Sequence, residues 1–489
     1  MTQASLKDKT VKGTIWSAVD AFGGQGVVFI VGIVLARILS PAEYGLIGIV
    51  TIFTTILLGV VDCGFSNALI RKQKVTEEDY NTLFFFNLLI SLFLYFILYL
   101  SAPWIAVFFE RPQLVALVRV MGFLLFFQAL SIVQYTILSR KIDFKTKTKA
   151  NIYSAVISGL AGIIMAFAGF GVWALVVQQL TRQGFYSVFL WFFNKWWPNA
   201  RISYQSFRYM WGFGWKILLS GLLSIIWNQL YQVVVGKFYS PATLGQYSRA
   251  KEYSSIFSSN LTSIVQRVSF PVLAQVQDEK ERMVSGYRRI IKISMFVAAI
   301  LMILMGAIAE PLIFCLIGPK WHQAATFLPL ICISMSLYPL HAINLNMLQV
   351  QNRTDIFLYL EIIKKIIAVG PLCLGIFVGI YWMLVGSIVA GIVSFFLNSY
   401  YTGKKLGYSS WMQLKDIAPS YCIAFVVAFI VYFVKFLPIS YWIILPLQLV
   451  IAALLLYIIC EKTRLEEYKE IKAMVFDYSK SFYRKISKK

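Results

Sequence analysis

The chain has 489 residues, 59% of them hydrophobic and only 14% charged, with a mean hydropathy of +0.71 and a formal charge of +23. So little charge cannot cover the surface of a soluble fold of this size, which excludes a soluble enzyme and leaves an integral membrane protein. A charge of +23 on a soluble chain would point to nucleic acid; here its placement along the chain gives another reason for it.

The first 13 residues are polar and basic, and the apolar run after them is long enough to span a bilayer, so no cleavable leader is read. Apolar segments of roughly 20 residues or more then recur fourteen times, at about 15–38, 44–70, 82–108, 114–138, 150–168, 171–193, 212–236, 244–275, 290–317, 324–350, 355–379, 381–402, 417–436 and 441–460. The eighth is rich in Ser, Asn and Gln. It is kept because dropping it would put its two basic neighbouring loops on opposite sides of the membrane. With the N-terminus inside, 32 of the 45 Lys and Arg fall in cytoplasmic segments and 5 in outer loops. That asymmetry places both ends in the cytoplasm and accounts for the excess charge as orientation and contact with anionic lipid.

One motif occurs twice. Arg37-Ile-Leu-Ser-Pro-Ala-Glu-Tyr-Gly45 follows the first span, and Lys237-Phe-Tyr-Ser-Pro-Ala-Thr-Leu-Gly245 follows the seventh. Ser40 suits a helix N-cap, Pro41 the first helical position, and Glu43 the partner that completes a capping box; the second copy keeps Ser240 and Pro241 with Thr243. A weaker match sets Lys141-Ile-Asp143-Phe beside Arg353-Thr-Asp355-Ile. Six spans separate the copies, so both halves enter the membrane in the same direction, as parallel repeats. The expected organisation is a six-helix bundle over 1–200, a second over 201–402, two appended helices over 403–460 and a basic cytoplasmic tail over 461–489. The tail reads as a helix lying on the inner leaflet.

Ionisable residues inside spans each cost about 2.5–3.5 kcal/mol at a helix centre unless they face water or a partner. Arg119 and Lys251 sit near an interface and can snorkel, and Glu361 with Lys364 and Lys365 can neutralise itself along one helix. On the eighth span, Arg249, Glu252, Asn260, Ser263 and Arg267 fall on one stripe, expected to line a water-filled space. The sixth adds Gln178-Gln-Leu-Thr-Arg182-Gln183, the seventh Lys216, Asn228, Gln229 and Gln232, and the first two spans Asp20 and Asp62. Together these describe a polar, net-positive cavity. Arg182, Lys216, Arg249, Asn260, Arg267, Gln178 and Gln232 are the expected substrate-binding residues; Asp20, Asp62 and Glu252 are the expected gate or coupling residues. The six cysteines lie in apolar runs with no C-x-x-C pair and read as structural thiols. His322 falls in an outer loop and His341 in the tenth span, and no phosphate loop, zinc motif or sugar-nucleotide Asp pair is present. Neither catalysis, nor a metal, nor a cofactor is expected beyond a coupling ion, H+ or Na+.

The two Ser-Pro-Ala turns and Arg140-Lys-Ile-Asp143-Phe resemble signatures of the polysaccharide-export flippases of the multidrug/oligosaccharidyl-lipid/polysaccharide (MOP) superfamily, most nearly the WzxC-like branch. The resemblance implies an all-α, MATE-like membrane fold of 14 transmembrane helices, two parallel-related six-helix bundles plus two. It also implies export of undecaprenyl-pyrophosphate-linked oligosaccharide across the bacterial inner membrane by alternating access, for exopolysaccharide or O-antigen-type synthesis. A polymerase and glycosyltransferases are the implied protein partners, and nucleic acid is not one. Arginine suits the pyrophosphate because its fork binds two oxygens at once. The rival is a cation-coupled multidrug antiporter of the same fold, which the excess of cations over acids in the spans disfavours.

Overall fold

The computed structural model describes Trp16, residues 23–473 and Phe476; Asp20 lies outside the described residues. Among them every regular element is helical. Among the described residues, ten helices are long and apolar enough to cross a membrane. The expected spans at 171–193, 244–275 and 355–379 are also continuous helices, Val172–Asn194, Pro241–Gln275 and Thr354–Phe377, but their polar and charged residues set them apart from the ten. Of the first expected span, the described helix is Gln25–Ile38.

The chain divides into two compact units, Met1–Gly245 and Gln246–Lys489. The first contains α1 (Gln25–Ile38), α2 (Pro41–Val61), α3 (Phe65–Arg71), α4 (Glu77–Phe108), α5 (Leu114–Met121), α6 (Phe123–Arg140), α7 (Phe144–Phe167), α8 (Val172–Asn194), α9 (Tyr204–Phe238) and the first turn of α10 (Pro241–Gln275). Ser40 caps α2 as its sequence requires: its Oγ accepts from Glu43 N, and Glu43 Oε2 accepts from Ser40 N at 2.6 Å. Ser240 caps α10 through Thr243 N at 3.1 Å. The glycine that closes each motif has a further use. A Cβ on Gly45 would stand 1.7 Å from the Pro241 carbonyl oxygen, and one on Gly245 would stand 1.9 Å from that of Pro41. The first turns of α2 and α10 therefore meet backbone to backbone, each copy of the motif against the other.

Asp62, Cys63 and Gly64 break the second expected span. Cys63 and Gly64 have φ of 49° and 70°, and Asp62 accepts hydrogen bonds from Ser66 N and Oγ across the bend. The corresponding helix α10 runs through without a break. Gly214 of α9 packs into the bend, where its own Cβ would lie 2.6 Å from Cys63 O.

The segment joining the repeats is stitched to the first unit. Asn199 and Asn81 exchange hydrogen bonds of 2.8 and 2.6 Å, Ser203 N donates to Thr82 Oγ1 at 3.0 Å, and Gln134 Nε2 donates to Trp196 O at 2.9 Å. α9 then packs on α2, α3 and α4. Arg140 ends α6 by donating to the carbonyls of Leu69, Ile70, Lys72 and Gln73, and so caps the open C-terminal end of α3.

The second unit holds the rest of α10, α11 (Lys280–Ala307), α12 (Ala309–Ile317), α13 (His322–Ser336), α14 (Tyr338–Val350), α15 (Thr354–Phe377), α16 (Ile380–Leu406), α17 (Ser410–Phe433) and α18 (Tyr441–Thr463). Tyr287, Ile291 and Met295 of α11 form its core with Ile343 and Met347 of α14 and Phe395 of α16. The start of the tail docks on α11 as well: Glu470 accepts from Arg289 at 2.8 Å and Glu466 from Lys292 at 3.3 Å, with Tyr468 and Ile471 packed below.

Positive-φ turns repeat in order through the two units. Glu110 answers to Gly318, Ile142 to Asn352, Gly171 to Gly379 and Lys195 to Gly407. This is the duplication expressed in backbone, and it corrects one register. Ile142 and Asn352 occupy the same turn, with Asp143 N donating to Leu138 O and Arg353 N to Leu348 O. Asp143 therefore matches Arg353, not Asp355, and the expected second motif match is displaced by two residues.

Candidate functional site: a cationic cavity in the first unit

A cavity of about 670 Å³ opens among α2, α6, α7 and α8. Two helical stripes build its polar walls. Gln179, Arg182, Gln183 and Tyr186 recur on one face of α8, and Lys147 and Asn151 on one face of α7. Both helices turn these faces inward because they pack closely along the alternate face: a Cβ on Gly162 of α7 would lie 2.9 Å from Gln178 Cβ. Lys147 Nζ rests 3.6 Å from the centroid of the Tyr135 ring and donates to Ser139 Oγ at 3.1 Å. Gln183 Nε2 donates to Gln128 Oε1 at 2.7 Å, which fixes the orientation of its amide. From Phe144 to Ser154 the α7 wall covers about 15 Å at 1.5 Å per residue. Among the described residues, two cations and several amides and hydroxyls face the space, and no carboxylate does. It suits a ligand with an anionic group and many hydroxyls.

The expected site residues separate into groups. Arg182 lines the cavity; Gln178 faces Gly162, and its neighbour Gln179 takes the cavity position. Lys216 is exposed on α9, Gln232 is half-buried there, and no ion pair joins Asp62 to Lys216 among the described residues. In the second unit Arg249 is 9% exposed and pairs with Glu252 at 2.7 Å. Asn260 and Arg267 are exposed, with Asn260 Nδ2 donating to Ile256 O at 2.6 Å and Arg267 Nε to Ser263 O at 3.2 Å. The opposite face of α10, including Ser254 and Ser258, is buried, with Ser258 Oγ donating to Met335 O at 2.9 Å. Sequence reading missed Lys147 and Asn151. The period of Phe144, Lys147, Asn151 and Ser154 on one helical face carries the signal, but Phe144 and Lys147 precede the apolar segment at 150–168.

The family model described as "Polysaccharide biosynthesis protein" matches residues 34–326, more than half of the chain. The chain belongs to this family. Among its relatives, the succinoglycan biosynthesis transport protein ExoT of Rhizobium meliloti (strain 1021) is 27% identical over 339 residues, 68% of either chain. The teichuronic acid biosynthesis protein TuaB of Bacillus subtilis (strain 168) is 25% identical over 73% of this chain and 74% of its own. The lipopolysaccharide biosynthesis protein WzxC of Escherichia coli (strain K12) is 22% identical over 84% of each. In fold, the chain is similar to the lipid II flippase MurJ in its inward closed conformation, with a TM-score of 0.70 and 15% identity over 93% of this chain and all of that one. An inward-facing multidrug resistance MATE family transporter of the MOP superfamily gives a TM-score of 0.60 and 16% identity over 81% and 99%. The chain is thus a multi-pass membrane protein of the polysaccharide biosynthesis family, with a fold similar to that of these two transporters.

Proposed function

We propose that this protein carries polyprenyl-pyrophosphate-linked oligosaccharide across the bacterial plasma membrane by alternating access, with 14 crossings and both termini in the cytoplasm. The observation that carries the reading is the cavity of the first unit, whose described walls offer Arg182 and Lys147 beside Gln179, Gln183 and Asn151. Arg182 is the bidentate pyrophosphate partner, Lys147 a second cation nearer the end of α7, and the amides are sugar contacts. In the first unit Lys216 is a further substrate contact with Asp62 as its exchange partner; in the second, Arg249 and Arg267 are substrate contacts and Glu252 is the exchange partner of Arg249. A polyprenyl tail would stay in lipid while the headgroup moves through polar surroundings. The relatives' names, which include a transport protein for succinoglycan, agree with this cargo class.

Undecaprenyl pyrophosphate offered to the full chain in nanodiscs is the direct probe. Wild type should bind it, and the Arg182→Ala/Lys147→Ala double variant should bind at least tenfold more weakly. Equal affinity in the two would remove the cavity from the path. Preferential binding of a cationic dye by wild type would support the antiporter reading instead.

A further inference from the structure

His341 lies on α14, which packs against α11, α13, α15 and α16. The proposed cargo path does not use it. Its Nδ1 is 3.3 Å from Nδ2 of Asn398 on α16. An amide nitrogen can only donate, so the ring accepts at Nδ1 and carries its single proton on Nε2. The other end of the same amide, Asn398 Oδ1, has no partner among the described residues although Asn398 is fully buried. Turning that amide over would present an acceptor to Nδ1 and would suit a ring that had gained a proton there. The turned amide serves an Nδ1–H in either the other neutral tautomer or the imidazolium, and the idle oxygen belongs to that arrangement.

The surroundings extend this pair towards one end of the helices. Thr402 Oγ1, one turn along α16, donates to Asn398 O at 3.2 Å and lies 3.4 Å from the Tyr287 hydroxyl. Tyr287 donates to Asn344 Oδ1, and Asn344 Nδ2 donates to Gln413 Oε1 at 3.3 Å. One turn beyond Gln413 on α17 is Asp416, held by Arg288 through bonds of 2.5 and 2.6 Å and by the Tyr408 hydroxyl at 2.7 Å. Arg288 is exposed there. From α15, Lys364 acts electrostatically on the ring and is itself ion-paired with Glu361.

We infer that His341 is a proton-binding site, that Asn398 reports its protonation by turning its amide, and that the proton is the ion coupled to transport. The proton comes from hydronium in the solvent: its O–H bond breaks to leave water as the Nδ1–H bond forms to give imidazolium. The coupling rests on the transport reading, whereas the proton site does not.

The sequence has only two histidines, so the full chain labelled at histidine Cε1 and nitrogen in lipid nanodiscs gives two resonances, assigned with His322→Gln. Expected are the Nε2–H tautomer at pH 7.5 and proton affinity at least tenfold higher in Asn398→Asp than in wild type. Should Asn398→Asp not fold, Asn398→Leu should lower the affinity at least tenfold. An Nδ1–H tautomer, equal midpoints, or a neutral ring down to pH 5 in both wild type and Asn398→Asp overturns the inference. In vesicles, a proton gradient should speed lipid-linked sugar transfer by wild type but not by His341→Gln, and an equal response of both removes the coupling. Failure of wild type to transfer at all would sink the transport reading and leave the titration intact.

Discussion

Replacing Gly45 by alanine tests the meeting of the two repeat motifs. The new methyl would stand 1.7 Å from the Pro241 carbonyl oxygen. Carbon and carbonyl oxygen ordinarily approach to about 3.3 Å at closest, so the first turns of α2 and α10 would have to part by roughly 1.5 Å. Overpacking costs about 1–3 kcal/mol where side chains can adjust. Here both partners are backbone in capped helix turns, so a cost near 3 kcal/mol is expected. For a unit of some 245 residues that corresponds to a fall in Tm of roughly 6–12 °C. Melting in detergent, followed with a dye that reacts with thiols as they are uncovered, can read this, because Cys63, Cys315, Cys332 and Cys460 are buried. Gly221→Ala on α9, where an added Cβ meets nothing within 4 Å, is the control and should melt no lower than wild type. Gly245→Ala should behave like Gly45→Ala, and the double variant should lose less than the sum, since one separation relieves both contacts. A Gly45→Ala protein that melts with the Gly221→Ala control would refute the close crossing.

Arg140→Ala leaves the last carbonyls of α3 without their guanidinium and should destabilise by about 2–3 kcal/mol; Arg140→Lys, with one point donor for four carbonyls, should recover less than half of the loss in the same melting assay. Glu110 pairs with Lys237 at 2.7 Å, and that ammonium holds its carboxyl below the usual glutamate range. A carboxyl depressed in the folded state stabilises above its unfolded value, about pH 4.3, and loses that contribution as pH falls through the lower folded value. The Tm difference between wild type and Glu110→Gln should thus be constant above about pH 5, shrink below it and weaken with salt; a difference that grows on acidification would contradict the pairing.

Much of the scaffold was legible because it depends on local chemistry. Ser40 with Glu43 and Ser240 with Thr243 cap their helices within three residues, and the apolar runs had to become helices to satisfy their backbone in lipid. What was not legible depends on which neighbour a residue meets. Gln178 and Gln179 are chemically identical, and only the packing of Gly162 decides which of them reaches the cavity. Lys147 lies outside the apolar segment at 150–168, because α7 begins at Phe144, earlier than hydropathy alone suggests. The break at Asp62–Gly64 interrupts an apolar run whose hydropathy barely changes, and it is carried by Gly64, by Cys63 in an uncommon backbone region and by the glycine of α9 beside them. Asn398 gave no signal, since a single amide in a long apolar helix is ordinary until its partner is known.

Duplication supplied two copies of one helix, and they have since gone separate ways. In the first copy, three residues from Asp62 to Gly64 make an elbow whose inner side is filled by α9; in the second the same stretch is a rod that displays its polar groups along one edge. A chain assembled from two identical copies of either half would have two elbows or two rods, and only two unlike halves give one of each.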